Sequence, residues 1–214
     1  MIVYGASLSP YVRKVLVFAA EAGIEVELKG ISLGSPDPDF AAASPFRKMP
    51  ALEDGDFTLA DSTAIITYFD ALHPDCGLIP TEPKARAKAI WYEEFADTIL
   101  VTALAKVFFN RVVAPRFLGR EGDLAAIETA INHEVPPILR YLEGVIPESG
   151  HLVEDRLTLA DIAVASPFVN WAHAGETVDA AVYPKIAAFL EAMHGRPSFA
   201  GLIARERRLF AAAA

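Results

Sequence analysis

The period of the hydrophobic pattern changes once along this chain, and that change limits the folds open to it. Up to residue 72, short apolar runs with a two-residue period are interspersed with helical stretches; after residue 84 only helical spacing is left. Residues 1–4 read as a strand. Residues 10–22 read as a helix carrying Val12, Val15, Leu16, Ala19 and Ala22 toward a core, with Gly23 as its C-terminal cap. Ile24, Val26 and Leu28 alternate with Glu25, Glu27 and Lys29, which marks a half-buried strand, and a polar, proline-bearing loop runs from Ser32 to Phe40. Residues 49–53 and 57–59 flank Asp54-Gly55-Asp56, a hairpin signal. Ile65, Ile66, Phe69 and Leu72 then fall at helical spacing until His73-Pro74 stops the helix. The order βαβ, ββ, α describes an α/β domain over residues 1–74.

The stretch HPDCGLIPTEPK, residues 73–84, has no sustained period, and residues 75–84 read as a linker. Residues 85–214 read as an all-helical domain. A long helix from 85 to about 115 sets Ala89, Trp91, Phe95, Ile99, Leu100, Ala103 and Val107 on related faces. A second spans 124–144, where Pro136-Pro137 is expected to kink or split it. Thr158-Leu159-Ala160-Asp161 is a capping-box pattern, and the almost wholly apolar 159–171 after it marks a central buried helix. Residues 184–194 and 197–209 make one or two further helices, with Gly195-Arg196-Pro197 as the break; the alanine run at 211–214 is the one low-complexity segment.

A hydrophobic content of 53% supports a sizeable core and excludes disorder. The longest apolar stretches are broken by charge short of the roughly 18 residues a membrane span needs. The chain opens on a strand-like MIVYG, so the expectation is a soluble, cytoplasmic protein without a targeting signal or membrane partner. The single cysteine, Cys76, cannot form an internal disulfide, which fits a reducing compartment. Net charge is −9 and the 19 basic residues are spread out, which argues against nucleic acid. His133, His151, His173 and His194 lack ligand spacing, so no metal site is expected. An acidic protein that binds a small anion must do so with local donors.

Those donors are best offered at residues 4–15, YGASLSPYVRKV, where a strand runs into Ser9-Pro10 and then directly into a helix. Pro10 suits the first helical position and Ser9 is a favoured N-cap, so the Ser9 hydroxyl sits beside unpaired backbone donors. A helix start favours negative charge, such as a thiolate. Ser9-Pro10-Tyr11-Val12 also looks like the Cys-Pro-Tyr-Cys loop of glutaredoxins with both cysteines replaced, which removes disulfide exchange and leaves a hydrogen-bond donor.

With a βαβ-ββα domain, a proline-bearing linker and an all-helical domain, the whole chain resembles cytosolic glutathione transferases, of the serine type found in bacteria and related to theta, tau and zeta members. Four separated signals carry the resemblance in family order. They are Ser9 after the first strand; Phe46-Arg47-Lys48-Met49-Pro50-Ala51-Leu52, similar to the segment whose proline is cis; Asp61-Ser62 at the start of the third helix; and the box at Thr158 to Asp161. The resemblance implies a thioredoxin-like fold for the first domain and glutathione as co-substrate, without a metal. Ser9 would support the thiolate, and Met49 before a cis Pro50 would pair in strand fashion with the cysteinyl part. Ser62 and the helix start suit the γ-glutamyl carboxylate, Asp61 the ammonium, and Lys48 the glycyl carboxylate.

A free thiol has a pKa near 8.5, and lowering it by about two units takes ~2.7 kcal/mol. A charge-assisted bond from Ser9 contributes on the order of 1.5–3 kcal/mol, with the helix start and Arg13 or another nearby cation adding to it. The thiolate would attack a small hydrophobic electrophile in an apolar cleft between the domains, formed by Leu8, Tyr11 and the long helix with Phe108, Phe109 and Arg111. Ser7 is a weaker rival donor, and Tyr4 reads as core. Phe46 falls where family members place an apolar residue that enters a partner subunit, so a homodimer is expected. Two other classes stay open: a glutathione-dependent disulfide or peroxide reductase, and a noncatalytic glutathione-binding module.

Overall fold

Four short strands form one mixed sheet in the order β2-β1-β3-β4: β1 (Ile2–Gly5), β2 (Glu27–Gly30), β3 (Ala51–Asp54) and β4 (Phe57–Ala60). β1 runs parallel to β2 and antiparallel to β3, which is antiparallel to β4. The computed structural model describes residues 1–212, so the last two alanines of the 211–214 run lie outside the described residues. The chain divides between Ile79 and Pro80 into two compact units. The first is a thioredoxin-like α/β unit and the second is helical.

In the first unit, α1 (Pro10–Glu21) and α3 (Ser62–Leu72) pack together. Val3 and Leu52, paired across β1 and β3, are fully buried. The next pair, Tyr4 and Ala51, points to the other face and packs with Ile31, Phe40 and Ala43. Side-chain alternation therefore gives the sheet a buried layer on each side. At Gly5 a side chain would collide with α1, because a Cβ there would meet Val12 Cγ2 at 2.5 Å.

Two local expectations are corrected. The second strand begins at Glu27 rather than Ile24, because the Ile24 N–H bonds to the Ala19 carbonyl at 2.8 Å and closes the end of α1. The stretch read as a loop from Ser32 to Phe40 contains the start of a helix, α2 (Pro38–Ala43), capped by Asp37, whose Oδ1 accepts from the Phe40 N–H at 2.9 Å. Asp-Pro is a helix-start signal, but six residues are too few to show a period.

The second unit holds α4 (Pro83–Phe117), α5 (residues 124–145), α6 (Leu159–His173), α7 (Pro184–His194) and α8 (Pro197–Ala212). Pro136-Pro137 neither breaks nor splits α5. The turn before it, Ala130–Glu134, is a wide π turn, and Phe109–Val113 does the same before Pro115 in α4. Widening the turn accommodates a residue that has no N–H to give and whose ring crowds the carbonyl behind it. By length and composition alone α4 could cross a membrane. Its Leu100, Ala103, Leu104 and Val107 are instead buried, and α6 packs along it. Within α6, 159–171 are all buried, as the apolar run predicts. At its far end His173 Nε2 lies 2.8 Å from Glu206 Oε2 on α8.

Candidate active site

The strand directions determine which loops share an end of the sheet. β1 and β4 run the same way and β3 runs against them. The turns leaving β1 and β4 and the segment entering β3 therefore lie at one end. Those are the loops bearing Ser9, Asp61-Ser62 and Lys48-Met49-Pro50, so the topology brings all six candidate glutathione residues to a single edge.

Ser9 is the N-cap of α1, with extended backbone (φ −76°, ψ 126°). Its N–H bonds to the Ala6 carbonyl and its own carbonyl accepts from the Arg13 N–H, both at 2.9 Å. Its Oγ accepts from the Val12 N–H at 3.5 Å, at the outer limit of a hydrogen bond, and the first turn of α1 holds no acidic residue. Accepting from a backbone N–H polarises the hydroxyl and makes it a better donor. Leu8 and Tyr11, on either side, are half-buried. The rival Ser7 is buried.

Tyr4 is excluded as a thiolate donor. It lies in the core and donates to Glu53 Oε2 at 2.5 Å. Burial, with that carboxylate second, pushes its pKa up to about 12, so it keeps its proton.

The second loop is built by Ser44, which the sequence reading missed. Ser44 is buried at the end of α2; it donates to the Lys48 carbonyl at 2.7 Å and accepts from the Lys48 N–H at 3.0 Å. Arg47 adopts a positive φ of 53° and donates to the Ser35 carbonyl at 2.8 Å. This leaves the Lys48 side chain and Phe46 exposed, Phe46 at 88%. The Met49-Pro50 peptide is cis. Pairing on β3 starts at Ala51, against Tyr4 and Ala60, so Met49 lies outside the ladder.

In the third loop Asp61 is the N-cap of α3, with φ 86°, a left-handed value that an aspartate holds only under constraint. Its Oδ1 accepts from the N–H groups of Thr63 at 2.8 Å and Ala64 at 3.3 Å. The chain's own carboxylate thus takes two donors that were assigned to a ligand. Ser62, the first residue of that helix, is only 3% exposed.

On the helical unit Phe108 is buried in α4. Three residues on, the Arg111 guanidinium donates to the Ala174 carbonyl at 2.9 Å and to Glu176 Oε1 at 2.6 Å, clamping the end of α6. Among the described residues no group of three His, Cys, Asp or Glu side chains could hold a metal ion.

Two family models match, "Glutathione S-transferase, N-terminal domain" over residues 3–81 and "Glutathione S-transferase, C-terminal domain" over residues 110–205. The chain is 32% identical to "Glutathione S-transferase 4" of Zea mays, over 92% of this chain and 88% of that one. It is 30% identical to human "Glutathione S-transferase theta-1", over 78% and 72%. Among solved structures, a glutathione S-transferase from Rhodospirillum rubrum F11 superposes with a TM-score of 0.85 at 25% identity, covering 94% of this chain and 90% of that one. A capped helix start, a cis-proline loop and a Ser-headed helix at one sheet edge, carried by a sequence with these relatives, lead to one assignment: the chain belongs to the glutathione S-transferase family and is a glutathione transferase.

Proposed function

We propose that Ser9 activates the glutathione thiol for attack on a small hydrophobic electrophile. The observation that carries this reading is the convergence of three loops at one edge of the sheet, with Ser9 the capping hydroxyl of a helix start that holds no anion of its own. The cysteinyl backbone pairs with Met49 beside Pro50, outside the sheet's own ladder. The γ-glutamyl carboxylate binds Ser62 at the start of α3, the ammonium meets the outer oxygen of Asp61, and Lys48 reaches the glycyl carboxylate. Once bound, the thiol loses its proton to solvent, and the thiolate accepts a hydrogen bond from Ser9 Oγ. Attack forms the new C–S bond while the leaving group departs or a strained ring opens. Leu8 and Tyr11 flank the reacting sulfur.

The test is a pH titration of thiolate absorbance with glutathione bound to the wild type and to Ser9→Ala. The expected result is a wild-type pKa well below 8.5 that moves back by one to two units in the variant, matching ~1.5–3 kcal/mol for one charge-assisted bond. Binding without a shift in either protein would overturn the role of Ser9 and favour the binding-module class.

We also propose a homodimer in the cytoplasm, with Phe46 entering the second copy; an aromatic ring left 88% exposed on a loop fixed by Ser44 and Arg47 supports it. Phe46→Ala should weaken self-association at least about 30-fold in sedimentation equilibrium, corresponding to ~2 kcal/mol for an anchoring aromatic. An unchanged dimer would remove Phe46 from the interface.

A further inference from the structure

Lys29 lies on β2, an edge strand of the sheet, in register with Tyr4 on β1. Paired residues share a face, so its side chain leaves the sheet on the Tyr4 side, where Phe40 and Ala43 of α2 are packed. Its Nζ lies 5.1 Å from the centre of the Tyr4 ring and reaches two carboxylates at the start of α2, Asp39 Oδ2 at 3.0 Å and Asp37 Oδ2 at 3.1 Å. Asp37 divides its oxygens between two tasks, because Oδ1 accepts from the Phe40 N–H as the helix cap. Hydrogen bonds to Asp39 first and Asp37 second hold the ammonium charged and raise its pKa from 10.5.

Stability does not account for this cluster. The Lys29 side chain is 36% exposed and that of Asp39 61%, and ion pairs so exposed contribute little to folding. Position is another matter. α2 is six residues long, well under the ~12–15 at which an isolated helix becomes even marginal, so its place is set by what grips it. It packs on β3 and β4, away from the β2 edge, and Lys29 ties its first turn back to β2. At the other end the Ser44 N–H donates to the Phe40 carbonyl at 2.8 Å, and the Ser44 hydroxyl clamps Lys48 through two bonds. Arg47 closes the same segment onto the Ser35 carbonyl. A shift at residues 37–39 is therefore carried along about 9 Å of helix to Lys48.

We propose that Lys29 is a positioning residue for glutathione: by holding the start of α2 to β2 it sets, through Ser44, where Lys48 meets the glycyl carboxylate. This rests on the reading of Lys48 as the partner of that carboxylate. It also explains why one cation and two acids are kept together on a surface where water could solvate each. Without the cation, two carboxylates within about 6 Å of each other repel, while Asp37 still caps the helix. α2 then stays formed and loses its fixed place on the sheet.

The experiment is calorimetric binding of glutathione, and of glutathione monoethyl ester with its glycyl carboxylate masked, to the wild type, Lys29→Gln, Lys48→Gln and the double variant, with thermal melts to establish that each is folded. Lys48→Gln should weaken glutathione binding about tenfold, as loss of one charge-assisted bond does, and Lys29→Gln roughly threefold. Neither should change the affinity for the ester. The double variant should bind glutathione no more weakly than Lys48→Gln, because the two residues act in series. A loss in Lys48→Gln with wild-type binding in Lys29→Gln overturns the proposal and leaves the Lys48 reading standing. Unchanged binding in Lys48→Gln overturns both. Equal losses of glutathione and ester in Lys29→Gln, or losses that multiply in the double variant, also overturn the proposal, since they mark a general loosening of the unit. Should Lys29→Gln not fold, Asp39→Asn decides, because it removes one arm of the cluster and leaves the Asp37 cap intact. It should weaken glutathione about twofold and spare the ester, and wild-type glutathione affinity in it overturns the proposal.

Discussion

The starts of α1 and α6 face the same physical problem and solve it in opposite ways. At α6 the chain supplies its own anion. Asp161, fully buried three residues into the helix, accepts from the N–H groups of Leu152 and Thr158, both at 2.8 Å, and from the Thr158 hydroxyl at 3.2 Å. At α1 the cap is a neutral hydroxyl with one 3.5 Å bond, and the first turn has no carboxylate. The start of α3 is intermediate, since its capping carboxylate, Asp61, takes two donors but lies outside the helix's first turn. A helix N-terminus serves as a binding site when the chain withholds its own negative charge from it. Asp161 is a folding device, whereas Ser9 leaves the first turn of α1 without a carboxylate.

Removing the closed cap gives the largest effect. Asp161→Ala orphans three buried donors that hold the 152–158 segment to the central helix, and should cost about 3 kcal/mol or more. For a chain of this size that lowers Tm by roughly 6–12 °C. Glutathione affinity of the remaining folded protein should be unaltered, because the α/β unit is untouched. A melt within 2 °C or so of wild type would show that α6 does not depend on its box.

Closing the open helix start should give an effect almost as large, but on activity. Ser9→Asp puts a carboxylate where the thiolate belongs. It should hold or slightly raise Tm, since Asp caps as well as Ser and adds a favourable charge–dipole term of about 0.3–1 kcal/mol. It should also cost on the order of 100-fold in kcat/KM by repelling the thiolate. Retained activity with a raised Tm would place the reactive sulfur elsewhere.

The architecture was legible because period and punctuation agree. Asp-Gly marked the β3-β4 turn, Ser-Pro and Thr-x-x-Asp marked two helix starts, and the single change of period separated the two units. The failures have local causes. β2 was drawn too early because Ile24 is buried by closing α1, and burial alone mimics strand alternation. α2 was too short for periodicity, and a split at Pro136-Pro137 stood as one of two readings because a π turn cannot be read from composition. At the candidate site, residue types pointed to three loops that the topology places at one end of the sheet, while the details were set by tertiary pairing. Asp61 folding back onto its own helix, Ser44 clamping Lys48 and Arg111 held by Glu176 are long-range or conformational facts that no spacing encodes.

The smallest effect tests whether caps can be told apart by pH. Asp37 and Asp161 are both carboxylates at helix starts, yet their pKa values move in opposite directions. The Phe40 N–H, then Lys29, lowers that of Asp37 from 3.8, whereas burial outweighs the bonded N–H groups and raises that of Asp161 from the same value. A lowered folded-state value means that the stabilisation from Asp37 is present above about pH 3.8 and is lost as pH falls through the lowered value. For Asp161 the sign reverses: its titration favours the folded state below 3.8, and that contribution is lost as pH rises through the raised value. Asp37→Asn should therefore melt slightly below wild type at pH 7, with the gap closing under pH 3.8, whereas the gap between wild type and Asp161→Asn should narrow as pH rises from 3.8. Melts of the three proteins between pH 3 and 7 check both slopes. Parallel slopes would mean that burial does not separate a self-satisfied helix start from a solvated one, and with it would go the physical basis for setting α6 against α1.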